Sequence, residues 1–206
     1  MTTRISHAAA ARELAGRDPA LGRLIEVVGP PRLRPPHDTH FEALVRSIVF
    51  QQLAGAAATT IHGRLVAALD HEVTPDRILA TPPEALRAAG LSGNKAASIT
   101  DLAMKVLDGT VVLAPRPLAR ERDDEVVARL TTVRGIGVWT AEMFLLFQLR
   151  RMDIWPIGDL GVRRGYGLIH DVPMPAPRDL APLGDVYRPY RSVAAWYCWR
   201  ACDTVV

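Results

Sequence analysis

Apolar positions along this chain recur at intervals of three and four residues, and no stretch alternates with the period of two that a half-buried strand requires. Phe41, Leu44, Val45, Ile48 and Val49 form the clearest set, the stripe of an amphipathic helix. Thr39 and Glu42 stand at its start with T-x-x-E spacing, so that each side chain can satisfy a backbone donor at the helix entrance. Gly55 interrupts the pattern, and Ile61, Leu65, Val66 and Leu69 predict a second helix. A third is predicted to begin at Thr81, with Pro82 in the first helical position, Glu84 completing another capping box and Gly90 as terminator. Ser92 to Leu107 reads as a fourth, ending at Gly109.

Beyond it, Ala114 to Arg122 mixes Pro with Arg and reads as a connecting loop. A short helix from about Asp124 to Thr131 then precedes V-R-G-I-G, and a longer one runs from about Val138 to Leu149. Asp159 opens a helix over Leu160 to Ile169, the Pro-rich stretch from Val172 to Pro189 reads as an extended connection, and a last helix covers about Tyr190 to Cys202. The fold class is therefore all-α: one domain over 1–206, with roughly 1–38 and 114–206 in one helical subdomain and 39–113 in the other.

Composition narrows the function classes only a little. No apolar run approaches the roughly 20 residues of a bilayer span, and the first residues show no sustained apolar core of a secretory leader, so a cytoplasmic protein is expected. The net charge is +3, with Lys95 and Lys105 the sole lysines and Arg supplying the remaining basic groups. Arg suits phosphate through its planar fork, although a compositional bias explains the same preference. Cys198 and Cys202 are the two cysteines, four apart on one helical face. Zinc or iron–sulfur sites take about four ligands, so two buried thiols and no metal are expected.

The most informative stretch is L-T-T-V-R-G-I-G-V-W-T-A, Leu130 to Ala141. Two glycines two apart permit a turn whose amides no side chain shields. Ile136 tucks inward, leaving the N–H groups of Gly135, Gly137 and Val138 at a helix start, where unpaired donors and the positive dipole end favour a phosphate. A tight turn between packed helices explains an isolated G-x-G equally well.

The wider pattern resembles the helix-hairpin-helix of the HhH-GPD DNA glycosylase superfamily, in which an L-x-x-V/L-x-G-I/V-G-x-x-T-A string is followed about twenty residues later by an Asp. Asp159 stands in P-I-G-D-L-G-V-R-R, twenty-two residues after Gly137. R-S-I-V-F-Q-Q-L (Arg46 to Leu53), G-L-S-G-N-K-A (Gly90 to Ala96) and Y-R-P-Y-R-S-V-A-A-W-Y-C-W (Tyr187 to Trp199) resemble the 3-methyladenine DNA glycosylase II type in particular. The similarity spans about residues 39–202.

The resemblance implies a helix-hairpin-helix at a DNA-binding cleft and a monofunctional enzyme that flips an alkylated purine, such as 3-methyladenine, out of duplex DNA and excises it during base excision repair. It implies Asp159 as the catalytic carboxylate. Trp139, Trp199, Met143 and Gln51 would meet the substrate, and Gln52 would be the wedge entering the vacated base position. Val133, Gly135, Ile136, Gly137, Val138, Thr140 and Arg163 would contact DNA. Bifunctional members carry a Lys at the position of Trp139, so no lyase chemistry is expected. No iron–sulfur cluster is expected because the four-cysteine set of endonuclease III-like relatives is missing, while hairpin carbonyls hold a monovalent cation in some members. The β-domain that some members carry ahead of the helical core is not expected here. Double-stranded DNA is the expected partner of a monomer associated with the nucleoid.

Each role has a competing reading. Asp159 is equally an N-cap for the helix it precedes, and Trp139 and Trp199 are equally core residues. Trp155 and Trp196 match no role and are assigned to the core. Two further functions remain open on these residues: an oxidised-base glycosylase on the same fold, and a non-catalytic helix-hairpin-helix protein that only holds DNA.

Overall fold

The computed structural model describes residues 5–33 and 35–204; residues 1–4, part of the stretch read as lacking a leader, lie outside them. Among the described residues the structure is helical with no strand, and it divides into two compact units, Met1–Pro35 with Leu145–Val206, and Pro36–Phe144.

The second unit begins with α3 (His40–Phe50) and α4 (Gly55–Ala68), after α1 (His7–Arg17) and α2 (Pro19–Val28) of the first. The capping box at α3 is complete: Glu42 N–H donates to Thr39 Oγ1 at 3.2 Å and Thr39 N–H to Glu42 Oε2 at 2.7 Å. Phe41, Leu44, Val45, Ile48 and Val49 are all buried, as the periodicity requires. There follow α5 (Pro75–Ala80), α6 (Pro83–Ala88), α7 (Gly93–Leu107), α8 (Pro115–Arg120), α9 (Asp123–Leu130) and α10 (Val138–Met143). Leu65, Leu69, Ile78, Leu86, Ile99 and Leu102 fill the core of this unit, each contributing about 1.5–3 kcal/mol of burial.

The predicted box at Thr81 does not form. Thr81 closes α5, its hydroxyl donating to Arg77 O at 2.8 Å, and α6 starts after Pro82 with no side-chain cap. Thr81 is therefore spent on the preceding helix, one the sequence reading did not include. The loop expected over Ala114 to Arg122 contains α8, whose Leu118 is buried. The subdomain boundary also falls elsewhere: residues 114–144 group with 36–113 rather than with the C-terminal residues. The reason is a set of polar ties from α7. Asp101 accepts the Arg134 amide at 2.7 Å, Lys105 donates to Thr132 O, and Asn94 accepts from Arg134 Nη2 at 3.1 Å.

The first unit combines α1 and α2 with α11 (Leu160–His170), α12 (Pro177–Leu183) and α13 (Arg191–Asp203). The helix expected to run on to Leu149 changes to a π-helical turn over Phe144–Gln148. The expected extended connection after Val172 holds α12 and a 3-10 turn at Asp185–Tyr187, because Leu180 and Tyr187 supply buried anchors that short Pro-led segments can fold around. The axis of this unit is the pairing of α11 with α13. A Cβ on Gly165 would stand 1.9 Å from Cys198 O, so glycine alone permits that approach. Cys198 is buried in this contact, and burial pushes its thiol well above the ordinary range. Cys202 is half-buried rather than buried, with Sγ 3.4 Å from Gly161 O. Trp155 is in the core as expected, donating to Leu180 O at 3.0 Å. Trp196 is half-buried instead, with the Arg200 guanidinium 5.5 Å from its ring.

Candidate active site and nucleic-acid interface

In the second unit, the hairpin between α9 and α10 is set by the positive φ of Gly135 (75°), a left-handed backbone that a side chain resists. A Cβ there would also stand 2.6 Å from Ser98 Oγ. Val133 and Ile136 are buried and hold the turn from beneath, with Ile136 N–H donating to Val133 O at 3.1 Å. Gly135, Gly137 and Val138 are exposed, and among the described residues their amides donate to no other group. Unpaired amides at the start of α10 are the donors a phosphate oxygen takes. Of the residues expected to contact DNA, Val133, Ile136 and Thr140 thus turn their side chains into the protein, where they shape the hairpin instead.

Gln51, expected at the substrate, is committed to the hairpin: its Nε2 donates to Gly135 O at 2.9 Å and to Thr140 Oγ1 at 3.3 Å. It ends α3, and its amide folds back to satisfy a carbonyl that would otherwise face only solvent. The next residue, Gln52, has a positive φ of 55° and is exposed with Leu53. Its side chain is open to solvent, as a wedge's must be. Lys95 supports this turn, its Nζ donating to Val49 O at 2.6 Å and Gln51 O at 2.8 Å and so capping the end of α3. Burial lowers the pKa of Lys95.

The hairpin carbonyls are already engaged at several positions. Thr132 O accepts the Lys105 ammonium, Val133 O the Ile136 amide and Gly135 O the Gln51 amide. A full positive charge on one of these oxygens fits poorly with a further monovalent cation there. Among the described residues no group of three or more His, Cys, Asp or Glu could hold a metal ion. Trp139, on the first turn of α10, is half exposed, and Met143 on its last turn is half-buried.

In the first unit, Asp159 caps α11. It is 8% exposed, and its Oδ1 accepts two hydrogen bonds, from the Val162 amide at 2.8 Å and from Trp199 Nε1 at 2.9 Å. The capping role foreseen for Asp159 is real, and the same oxygen also holds an indole. Trp199 is half-buried on α13 and stacked against Phe147, with ring centroids 5.6 Å apart and planes 25° from parallel. Phe147 is 42% exposed and Leu160 63% exposed, so apolar surface stands open beside a buried carboxylate. Phe147 escaped the sequence reading because it lies in the run F-L-L-F, where nothing separates a surface ring from a core one. Arg163 is half-buried, its Nε bound to Pro175 O at 2.8 Å, while its neighbour Arg164 is exposed. Among the described residues no helix is long and apolar enough to cross a membrane.

Comparison with known proteins gives a consistent picture. A family model described as HhH-GPD superfamily base excision DNA repair protein matches residues 45–181. DNA-3-methyladenine glycosylase 1 of Schizosaccharomyces pombe is 34% identical over 196 residues, covering 91% of this chain and 84% of its own length. Among solved structures, the 3-methyladenine DNA glycosylase of the same organism in complex with abasic DNA superposes with a TM-score of 0.83 at 32% identity, covering 95% of this chain and 97% of that one. The DNA-3-methyladenine glycosidase of Bacillus halodurans gives a TM-score of 0.86 at 33% identity, over 95% and 89% of the two chains.

Proposed function

The chain belongs to the HhH-GPD superfamily of base excision DNA repair proteins, and from that premise we propose that it is a monofunctional DNA glycosylase that removes alkylated purines, 3-methyladenine among them, from duplex DNA. The observation that carries this reading is a buried carboxylate bonded to the indole of an aromatic pair whose outer ring is open to solvent.

A base inside a duplex is out of reach, so the nucleotide must first rotate out, at a cost of a few kcal/mol that is least for a damaged pair. The exposed Gln52 at its left-handed turn is shaped to enter the gap, and the open amides of Gly135, Gly137 and Val138 would grip a phosphate without reading sequence. An N-alkylated purine carries positive charge. Electron-rich rings attract such a cation by roughly 0.5 to 2 kcal/mol per good contact, which suits Trp199 and the exposed ring of Phe147 stacked on it. As the N-glycosidic bond lengthens, positive charge grows on the sugar at C1′, as in glycoside hydrolysis. A fixed anion stabilises that state, and Asp159 would supply it while orienting the water that attacks C1′. The products are the free base and an abasic site. Schiff-base chemistry needs an amine at the hairpin, where this chain has Trp139. The enzyme would act as a monomer in the cytoplasm, on nucleoid DNA.

The test is incubation of the purified protein with methylated duplex DNA and identification of the released base. Free 3-methyladenine with no borohydride-trapped adduct is the expected result. Release of oxidised purines alone, or DNA binding with no base released, would overturn the proposal.

A further inference from the structure

Four features converge on one side of Asp159. Trp199 Nε1 donates to Asp159 Oδ1 at 2.9 Å, on the same oxygen that the Val162 amide holds. Phe147 stacks on the indole and resists its rotation. A Cβ at Gly161 would stand 2.7 Å from Trp199 Cδ1 and 3.1 Å from Asp159 Oδ1, so this glycine leaves the room in which indole and carboxylate meet. Cys202, one turn after Cys198 on the helix that carries Trp199, is anchored to Gly161 O at 3.4 Å.

We propose that Trp199 is the positioning residue of Asp159: its N–H, rather than only its ring face, fixes the rotation of the carboxylate so that the other oxygen is aimed at the sugar and water. A carboxylate pinned on one oxygen by a rigid amide alone keeps freedom about its Cβ–Cγ bond. A second donor from another helix removes it, and the stacked Phe147 makes that donor stiff. Preorganised charge does more for a transition state than charge that must be turned into place. The inference rests on Asp159 acting as the catalytic carboxylate.

The experiment compares wild-type protein, Trp199→Phe and Asp159→Asn in single-turnover release of 3-methyladenine from methylated duplex DNA, with affinity for the duplex measured separately. Phenylalanine keeps an aromatic face for the base and for Phe147 but removes the N–H. The expected W199F result is a rate at saturation lower by about tenfold, with binding of the damaged duplex within about twofold of wild type. A wild-type rate, or a loss confined to affinity, would overturn the positioning role and leave Trp199 as a stacking surface. D159N separates the two claims: if it turns over normally, the catalytic reading itself fails, whatever W199F does. Should W199F not fold, Phe147→Leu at the exposed partner carries the test, with a smaller loss of the saturated rate at unchanged affinity expected, and an unchanged rate counting against the proposal.

Discussion

The hairpin and the crossing of α11 with α13 both depend on paired glycines, yet they use them for opposite ends. At the hairpin, Gly135 and Gly137 leave backbone amides open to solvent, and the neighbouring side chains of Val133, Ile136 and Thr140 are buried beneath. At the crossing, Gly161 and Gly165 leave no side chain so that two helices can close, and it is side chains, Asp159 and Trp199, that emerge with fixed geometry. Backbone donors contact any phosphate alike, whereas a fixed carboxylate and indole act only on a particular group. In the proposed function grip and chemistry are separable, and substitutions should break them separately.

The largest effect is expected at Gly165→Ala. Its Cβ would meet backbone atoms of Cys198 at 1.9 to 2.7 Å, which cannot move without parting α11 and α13, so denaturation should show a loss of at least about 3 kcal/mol, in the range of severe overpacking. Unchanged stability would mean the helices do not cross this closely.

Next come the two hairpin glycines, which sharpen the comparison against each other. Gly135→Ala forces a left-handed residue against Ser98 and should cost about 1–2 kcal/mol of stability as well as DNA affinity. Gly137→Ala meets nothing within 4 Å, so melting should be unchanged while its methyl crowds the amides. Affinity for duplex DNA should fall by about tenfold in a titration, with the saturated rate of base release retained. Equal affinity for G137A and wild type would remove these amides from the interface.

The smallest effect is a pH dependence at Asp101. Burial raises its pKa, but the Arg134 amide and Lys105 outweigh that and hold the net value below the ordinary carboxylate range. A depressed folded-state pKa contributes stability above the unfolded value and loses it as pH falls through the folded one. Asp101→Asn should therefore be less stable than wild type by about 1 kcal/mol at neutral pH. The gap should close as pH drops below the ordinary carboxylate range, and a gap constant with pH in urea titrations would assign the tie to packing rather than charge.

Much of this contrast is legible in the sequence. The stripe over Phe41 to Val49, the box at Thr39, the helix after Ser92 and the hairpin string are local patterns, and local patterns survive folding. The short helices α5, α8 and α12 have six or seven residues each and open on proline, too few for a period to show. Residues 7–28 hold two helices whose alanine-rich first member has little apolar contrast. At the site, the sequence pointed to Asp159 and Trp199 one at a time. That one donates to the other depends on a helix crossing forty residues long in sequence, and that Gln51 serves the hairpin depends on a contact across eighty-four. Long-range pairings of that kind have no signature within any window of the chain.

The most direct measurement is single-turnover release of 3-methyladenine by Asp159→Asn with enzyme in saturating excess over methylated duplex DNA. Asparagine also caps helices well, so fold and DNA affinity should match wild type while the rate falls by at least about 100-fold. A rate equal to wild type at equal occupancy would contradict the carboxylate's role in breaking the bond.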